Sequence, residues 1–193
     1  MSIYGQIKAY IPVNEQERAD KAIILSQLES NKNVFNRTSL TAHMTVSAWV
    51  VNGERNKVLM AYHNLYKSWA WLGGHADGKE NLLSVAVKEA KEESGLDTVQ
   101  PVSPDIASIE VLTVDGHIKN GRYVPSHLHL NVTYILEADE TQSIKPKCDE
   151  NSAVAWIGFD DIKRKSSERY FVDSIYPKLI KRSSEIEFVK ERV

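Results

Sequence analysis

The sequence predicts an α/β domain in which a mixed sheet is covered by helices. Three observations carry that prediction. Met44, Val46, Ala48 and Val50 alternate with other residues, which describes a strand. Residues 81–94 describe a capped helix with Leu82, Ala86 and Ala90 along one side. Further strand patterns lie near 106–114 and 127–137, so strands flank the helix on both sides.

Taken in order, residues 1–40 read as an N-terminal helical extension and 41–193 as the main domain with a C-terminal helix. Asn14 followed by Glu17 resembles a capping box. Ala22, Ile24, Leu25 and Leu28 then give a helical stripe over about 15–30. The pattern changes to a strand at Met44. Asn52-Gly53 signals a hairpin, with Lys57 to His63 as the returning strand. Trp69 to Leu72 is a short third strand that ends in Gly73-Gly74. Asn81 can cap the central helix and Gly95 can end it. Val154 to Ile157 forms a last short strand, and Asp160-Asp161 can open a short helix. Residues 166–183 look helical, with Pro177 forcing a kink or break.

Composition narrows the function classes. The 193 residues are 42% hydrophobic and 26% charged, which suits a globular domain and argues against disorder. A formal charge of −2 builds no nucleic-acid footprint, so no nucleic-acid partner is expected. The single cysteine, Cys148, excludes an internal disulfide and fits a reducing compartment. The start of the chain has no charged segment followed by a long apolar run, so no signal peptide is expected. No apolar run approaches the roughly 20 residues of a membrane helix. These readings place the protein in the cytoplasm and away from membranes.

Two chemistries compete for the segment from Gly73 to Glu80. It nearly spells a phosphate-cradling P-loop: Gly73, four residues, then Gly78-Lys79. That motif needs Ser or Thr next, to hold magnesium, and Glu80 stands there instead. A carboxylate would repel the phosphate, so the P-loop is rejected. In the helix that follows, Glu89, Glu92 and Glu93 stand at i, i+3 and i+4 and share a face. They repel one another, and they sit at the helix end where the dipole disfavours anions. Either Lys88 and Lys91 make this a solvated charged face, or a divalent cation collects the carboxylates.

Gly74, five residues, Glu80, seven residues, then Lys88-Glu89-Ala90-Lys91-Glu92-Glu93-Ser94-Gly95-Leu96 resembles the Nudix box. Gly74, Glu80, Glu89, Glu92, Glu93, Gly95 and Leu96 match it at the right spacing; Lys88 departs, because the family has Arg there. The resemblance implies an α/β/α sandwich. It implies hydrolysis, with Mg²⁺ or Mn²⁺, of the pyrophosphate bond in a nucleoside diphosphate linked to another group or in a similar small diphosphate. Glu89, Glu92 and Glu93 are then the metal ligands, with the choice of general base among them open. The carbonyl of Gly74 is a further ligand, and Glu80 steadies the loop. Lys88 would brace Glu80 more weakly than Arg, because it lacks the bidentate fork. Glu150, in the loop before the last strand, is carried over as a further ligand or base, with Asp149 as the competing residue and a solvated loop acid as the plain alternative. His75 and Lys79 are expected to bind substrate.

Other residues have two readings each. His127 and His129 share a strand face, as a metal or phosphate site or as ordinary neighbours. Trp69 and Trp71 stack a base or pack the core. Rival functions are a non-catalytic Nudix ligand sensor, a diphosphate isomerase and an RNA-cap binder. The isomerase would need a cysteine early in the chain, and the cap binder a basic groove. A homodimer is compatible with the reading, and the substrate is not named by it.

Overall fold

The computed structural model describes residues 1–119 and 121–185, so the last eight positions of the expected main domain lie outside the described residues. Two helices come first, α1 (Ile3–Ala9) and α2 (Glu15–Ser30). The sequence reading anticipated only the second. The strands are β1 (Ala42–Val51), β2 (Lys57–His63), β3 (Ser68–Ala70), β4 (Leu72–His75), β5 (Gln100–Pro101), β6 (Ser108–Val114), β7 (His117–Lys119), β8 (Arg122–Val124), β9 (His127–Glu137) and β10 (Asn151–Gly158). The later helices are α3 (Leu82–Ser94), α4 (Ile162–Lys165) and α5 (Tyr176–Glu185).

The main sheet has eight strands in the path β10-β2-β1-β9-β5, with β3 on β2, β4 on β1 and β6 on β9. Among the described residues only the β1–β9 pairing is parallel, so the sheet is mixed. β1 is its centre. One edge follows β9 from Ala42 to Val51. The other edge meets β4 from Thr45 to Ala48 and β2 only at Val51. β2 therefore splays from β1, and β3 and β4 fill the gap. That wedge curls the sheet and sets Gly73, Gly74 and His75 beside the first half of β1.

Alternation along β1 sorts the two cores. Met44, Val46, Ala48 and Val50 face Ala86 and Ala90 of α3, with Ile7 and Ile24 of the first helices in the same cluster. Trp49 and Val51 face Ile175, Tyr176 and Leu179 on the opposite side. Helices thus cover both faces, which is the expected α/β/α arrangement. The N-terminal helices are built into the core, since Ile7 and Ile24 are fully buried. α2 also covers the outer edge of β6: Gln16 donates to the Ile109 carbonyl at 3.1 Å, and Asp20 accepts from the Val111 N–H at 2.9 Å. These bonds satisfy an edge that would otherwise invite strand pairing.

Local chemistry sets the helix ends. Asn14 accepts from the Glu17 N–H at 2.9 Å, but Glu17 turns its own carboxylate to the Val13 N–H rather than closing the box. Asn81 caps α3 by accepting from the Ser84 N–H at 3.1 Å. Gly95 ends α3 at φ +70°, a conformation that favours glycine. The C-terminal segment breaks as its proline requires. Residues 171–175 form a wide π-helical turn, and α5 starts one residue before Pro177. Pro177 has no N–H to return to the preceding turn, so a regular α-helix cannot run through it. Among the described residues, no helix is long and apolar enough to cross a membrane.

Candidate active site

Glycine brings β4 onto α3. A Cβ on Gly73 would lie 2.3 Å from the Val46 carbonyl oxygen, so only glycine lets β4 pass β1 here. Its N–H donates to Glu93 Oε2 at 2.8 Å. A Cβ on Gly74 would lie 2.6 Å from Glu89 Cδ, so the Gly74 backbone rests directly on the Glu89 carboxylate. Beyond the strand, Asp77 (φ +47°) and Gly78 (φ +83°) turn the chain toward α3. Arg37 holds that turn through two hydrogen bonds to Asp77, one of them 2.7 Å long. Its guanidinium keeps the Asp77 carboxyl below the usual range.

The three helix carboxylates have different surroundings. Glu93 is 6% exposed. It accepts from Gly73 N–H and, at 3.1 Å, from the Asn151 amide. Burial raises its pKa to about 7 despite those two bonds, with Glu89 and Glu150 adding like-charge repulsion. Glu89 is mostly covered and Glu92 half exposed, and Lys88 joins them at 3.0 and 2.7 Å. Lys88 therefore sits between two box carboxylates, and no ion pair links it to Glu80 among the described residues. Glu80 is exposed. The ammonium stays near Glu89 and Glu92 because i and i+4 neighbours meet on a helix.

Glu150 precedes β10 and pairs with Lys147 at 3.0 Å and with Lys119 of the β7–β8 hairpin at 3.8 Å. Burial raises its pKa, but these lysines overrule burial and hold it below the usual range. The Glu150 N–H and the Asn151 N–H both bond the Lys147 carbonyl, which sets the loop that carries Glu150 beside Asn151. Arg37, Lys119 and Lys147 ring this region with positive charge, and sequence spacing alone does not signal Arg37 or Lys119. Lys79 is exposed at the turn before α3.

His75 turns away from Glu89 and joins His43, His127 and His129. The rings of His43 and His75 are 5.1 Å apart, those of His75 and His129 4.9 Å and those of His43 and His127 4.8 Å. Burial, then repulsion from Arg37 and His43, lowers His75 to about 3. Burial and the neighbouring imidazoles lower His129 to about 2. The pair His127 and His129 is thus part of a larger cluster that residue spacing could not reveal. Trp71 packs edge-on against Phe171 and Tyr176, and Trp69 against Tyr62, so both tryptophans are packing residues here. A cavity of about 540 Å³ lined by Asn52, Thr98, Glu137 and Glu140 lies at the other end of β1, away from the box residues.

This fold and this loop-and-helix constellation define a class. The NUDIX domain profile matches residues 41–179, and the chain belongs to the NUDIX family. Among its relatives is the probable DHNTP pyrophosphohydrolase of Lactococcus lactis subsp. cremoris (strain MG1363), 24% identical over 141 residues, which span 73% of this chain and 81% of that protein. The crystal structure of a NUDIX-family hydrolase from Clostridium perfringens superposes with a TM-score of 0.54 at 23% identity, over 75% of this chain and 98% of that one. The dihydroneopterin triphosphate pyrophosphohydrolase of E. coli superposes with a TM-score of 0.53 at 14% identity, over 72% and 95% of the two chains. At these identities the structural likeness speaks for the fold.

Proposed function

We propose that the protein is a metal-dependent hydrolase that cleaves the pyrophosphate bond of a nucleoside diphosphate linked to another group, or of a similar small diphosphate. One observation carries the reading: the backbone of Gly73 and Gly74 is pressed onto the carboxylates of Glu93 and Glu89. At Gly73 the β1 backbone already requires glycine, but at Gly74 a Cβ would meet the Glu89 carboxylate itself, so there glycine brings the backbone against a box acid. The donor set is hard oxygen, which suits Mg²⁺ or Mn²⁺. Glu89, Glu92, Glu93 and the Gly74 carbonyl would hold the ion. Bound there, it would neutralise phosphate oxygens and lower the pKa of a water molecule.

The chain's own groups supply the rest. Gly73 N–H and the Asn151 amide hold the Glu93 carboxylate in one orientation. Lys88 offsets the charge of Glu89 and Glu92. Glu150 is our candidate for a further ligand or for the base that takes a proton from water. Arg37, Lys119 and Lys147 are our candidates for binding the phosphate charges, with Lys79 as a further substrate contact; His75, expected to join them, instead faces the histidine cluster. The lone thiol, exposed at Cys148, fits the cytoplasm. The pyrophosphohydrolase names of the relatives support a substrate with a phosphoanhydride bond, with pterin and nucleoside triphosphates first in the test. Product release is to be measured over those triphosphates, nucleoside diphosphate sugars and dinucleoside polyphosphates, with Mg²⁺ or Mn²⁺ and with chelator. Turnover of at least one substrate that stops in chelator and returns with metal is expected. Binding of a nucleotide without turnover in any metal would instead make the domain a sensor.

A further inference from the structure

The histidine cluster is not needed by the carboxylate site, and its geometry has its own logic. His43 and His129 are register partners on parallel strands, so their side chains leave the sheet on one face. His75 pairs across from Thr45, two residues from His43 and on that same face. One ring nitrogen from each of His43, His75 and His129 lies within 4.8 Å of the others. Two nitrogens in a tetrahedral zinc site stand roughly 3.4 Å apart. Ring rotations on the order of 1 Å would close the trio to that spacing.

We propose that His43, His75 and His129 form a second metal site, which takes a divalent transition ion of the zinc class. The tautomers favour an ion over an anion. Nδ1 of His43 lies 3.0 Å from the Ser39 carbonyl, which can only accept, so Nδ1 carries the proton. Nε2 of His43 is therefore a lone pair. It is buried, in a residue only 5% exposed, and makes no hydrogen bond among the described residues. A phosphate would meet that lone pair with its own and be repelled, whereas a metal ion is what a lone pair lacks. A backbone carbonyl on the far nitrogen is also the usual support of a metal-bound histidine. His127 has the same Nδ1 bond, to the Pro125 carbonyl at 2.8 Å, so its Nε2 accepts from the Nε2–H of His129 at 3.2 Å, which leaves Nδ1 as the lone pair of His129.

Nitrogen donors favour zinc-class ions and oxygen donors favour Mg²⁺, so the two sites can be loaded independently. Three protein ligands leave the ion an open position for water or for a ligand oxygen. The proposal does not depend on the hydrolase reading.

The test is Zn²⁺ binding to the full chain, by competition with a chromophoric chelator, in excess Mg²⁺ to fill the carboxylates. One equivalent is expected for wild type. His43→Gln, His75→Gln and His129→Gln should each weaken binding by ~100-fold, while His117→Gln and Glu92→Gln leave it unchanged. Circular dichroism of each variant checks the fold. Co²⁺ on wild type adds a readout that needs no variant, namely the strong visible absorption of a four-coordinate site with nitrogen ligands. Absence of a saturable equivalent of Zn²⁺ in wild type overturns the proposal. So does a Co²⁺ spectrum of six-coordinate, oxygen-rich type, or binding lost in Glu92→Gln and kept in His129→Gln.

Discussion

Glu93 is the residue on which the helix charges weigh most. Lys88 screens Glu89 and Glu92, but Glu93 is buried with two neutral donors and carries its charge against burial. Its pKa is about 7 in the folded chain against 4.5 for an ordinary Glu, so folding takes up a proton between those values. Stability of the metal-free protein should therefore fall as pH rises from about 4.5 to about 7, and level off above that. Glu93→Gln should remove this slope. In chelator, it should be more stable than wild type by up to ~3 kcal/mol near pH 8, with the gain vanishing near pH 4. Urea titrations at the two pH values measure it. A gain that is equal at both pH values would assign the effect to something other than this charge. Lys88 gives a second test at this scale. Its ammonium occupies the space between two box carboxylates, so Lys88→Gln should tighten Mg²⁺ binding by ~2- to 5-fold while lowering metal-free stability by at most ~1 kcal/mol. Calorimetric titration with Mg²⁺ reads the first effect and thermal melts the second.

At the scale of elements, β4 and α3 are held by two adjacent glycines with different obligations. A Cβ on Gly73 would strike the backbone of β1, which cannot move without breaking the ladder. A Cβ on Gly74 would strike a glutamate side chain, which can rotate away. Gly73→Ala should thus cost the fold ~2–3 kcal/mol or more. Gly74→Ala should cost ~1 kcal/mol or less, yet displace Glu89 and lower turnover by ~100-fold. Paired denaturation and activity measurements separate them. Equal losses of stability in both variants would mean that Glu89 is as rigid as the strand.

At the scale of the whole molecule, a buried charge network joins the first helices to the last. Lys178 of α5 bonds Glu17 of α2 at 3.0 Å and Glu110 of β6 at 3.3 Å, and both carboxylates are fully buried. Burial pushes both carboxyls up. Hydrogen bonds from Val13, Tyr10 and Lys178 overrule it at Glu17, whereas burial wins at Glu110. Removing the shared cation leaves Glu110 with no ion-pair partner among the described residues and Glu17 with Arg182 alone, at 3.6 Å, and breaking a buried pair in this way costs about 3–5 kcal/mol. Lys178→Met should destabilise the protein by about that amount, and acid should recover part of the loss, since protonation removes the uncompensated charge. Chemical denaturation near pH 7 and near pH 5 measures it. A loss below ~1 kcal/mol would show that the network contributes little to holding the two ends of the chain together.

Some of this was legible along the chain. Helix α2 falls on the Asn14 cap and its stripe, and α3 falls between Asn81 and Gly95, because caps and turn glycines are local chemistry. β2 and β9 carry the bounds that alternation predicts, because side chains on a strand change face at every residue. The spacing of the box put three carboxylates on one helix for the same reason. Short elements without a periodic signal, such as α1 and the β7–β8 hairpin, stayed hidden. So did every contact made across distance: Arg37 on Asp77, Asn151 on Glu93, Lys178 between two acids, and four histidines from three strands in one cluster. Sequence by itself determined the family, the central helix and the acidic motif, since these depend on residues within a few turns of one another. Only the tertiary structure decided which acid is buried, where Lys88 points and which histidines meet. Those depend on the parallel register of β1 and β9 and on the curl of the sheet, and many residues far apart along the chain set both together.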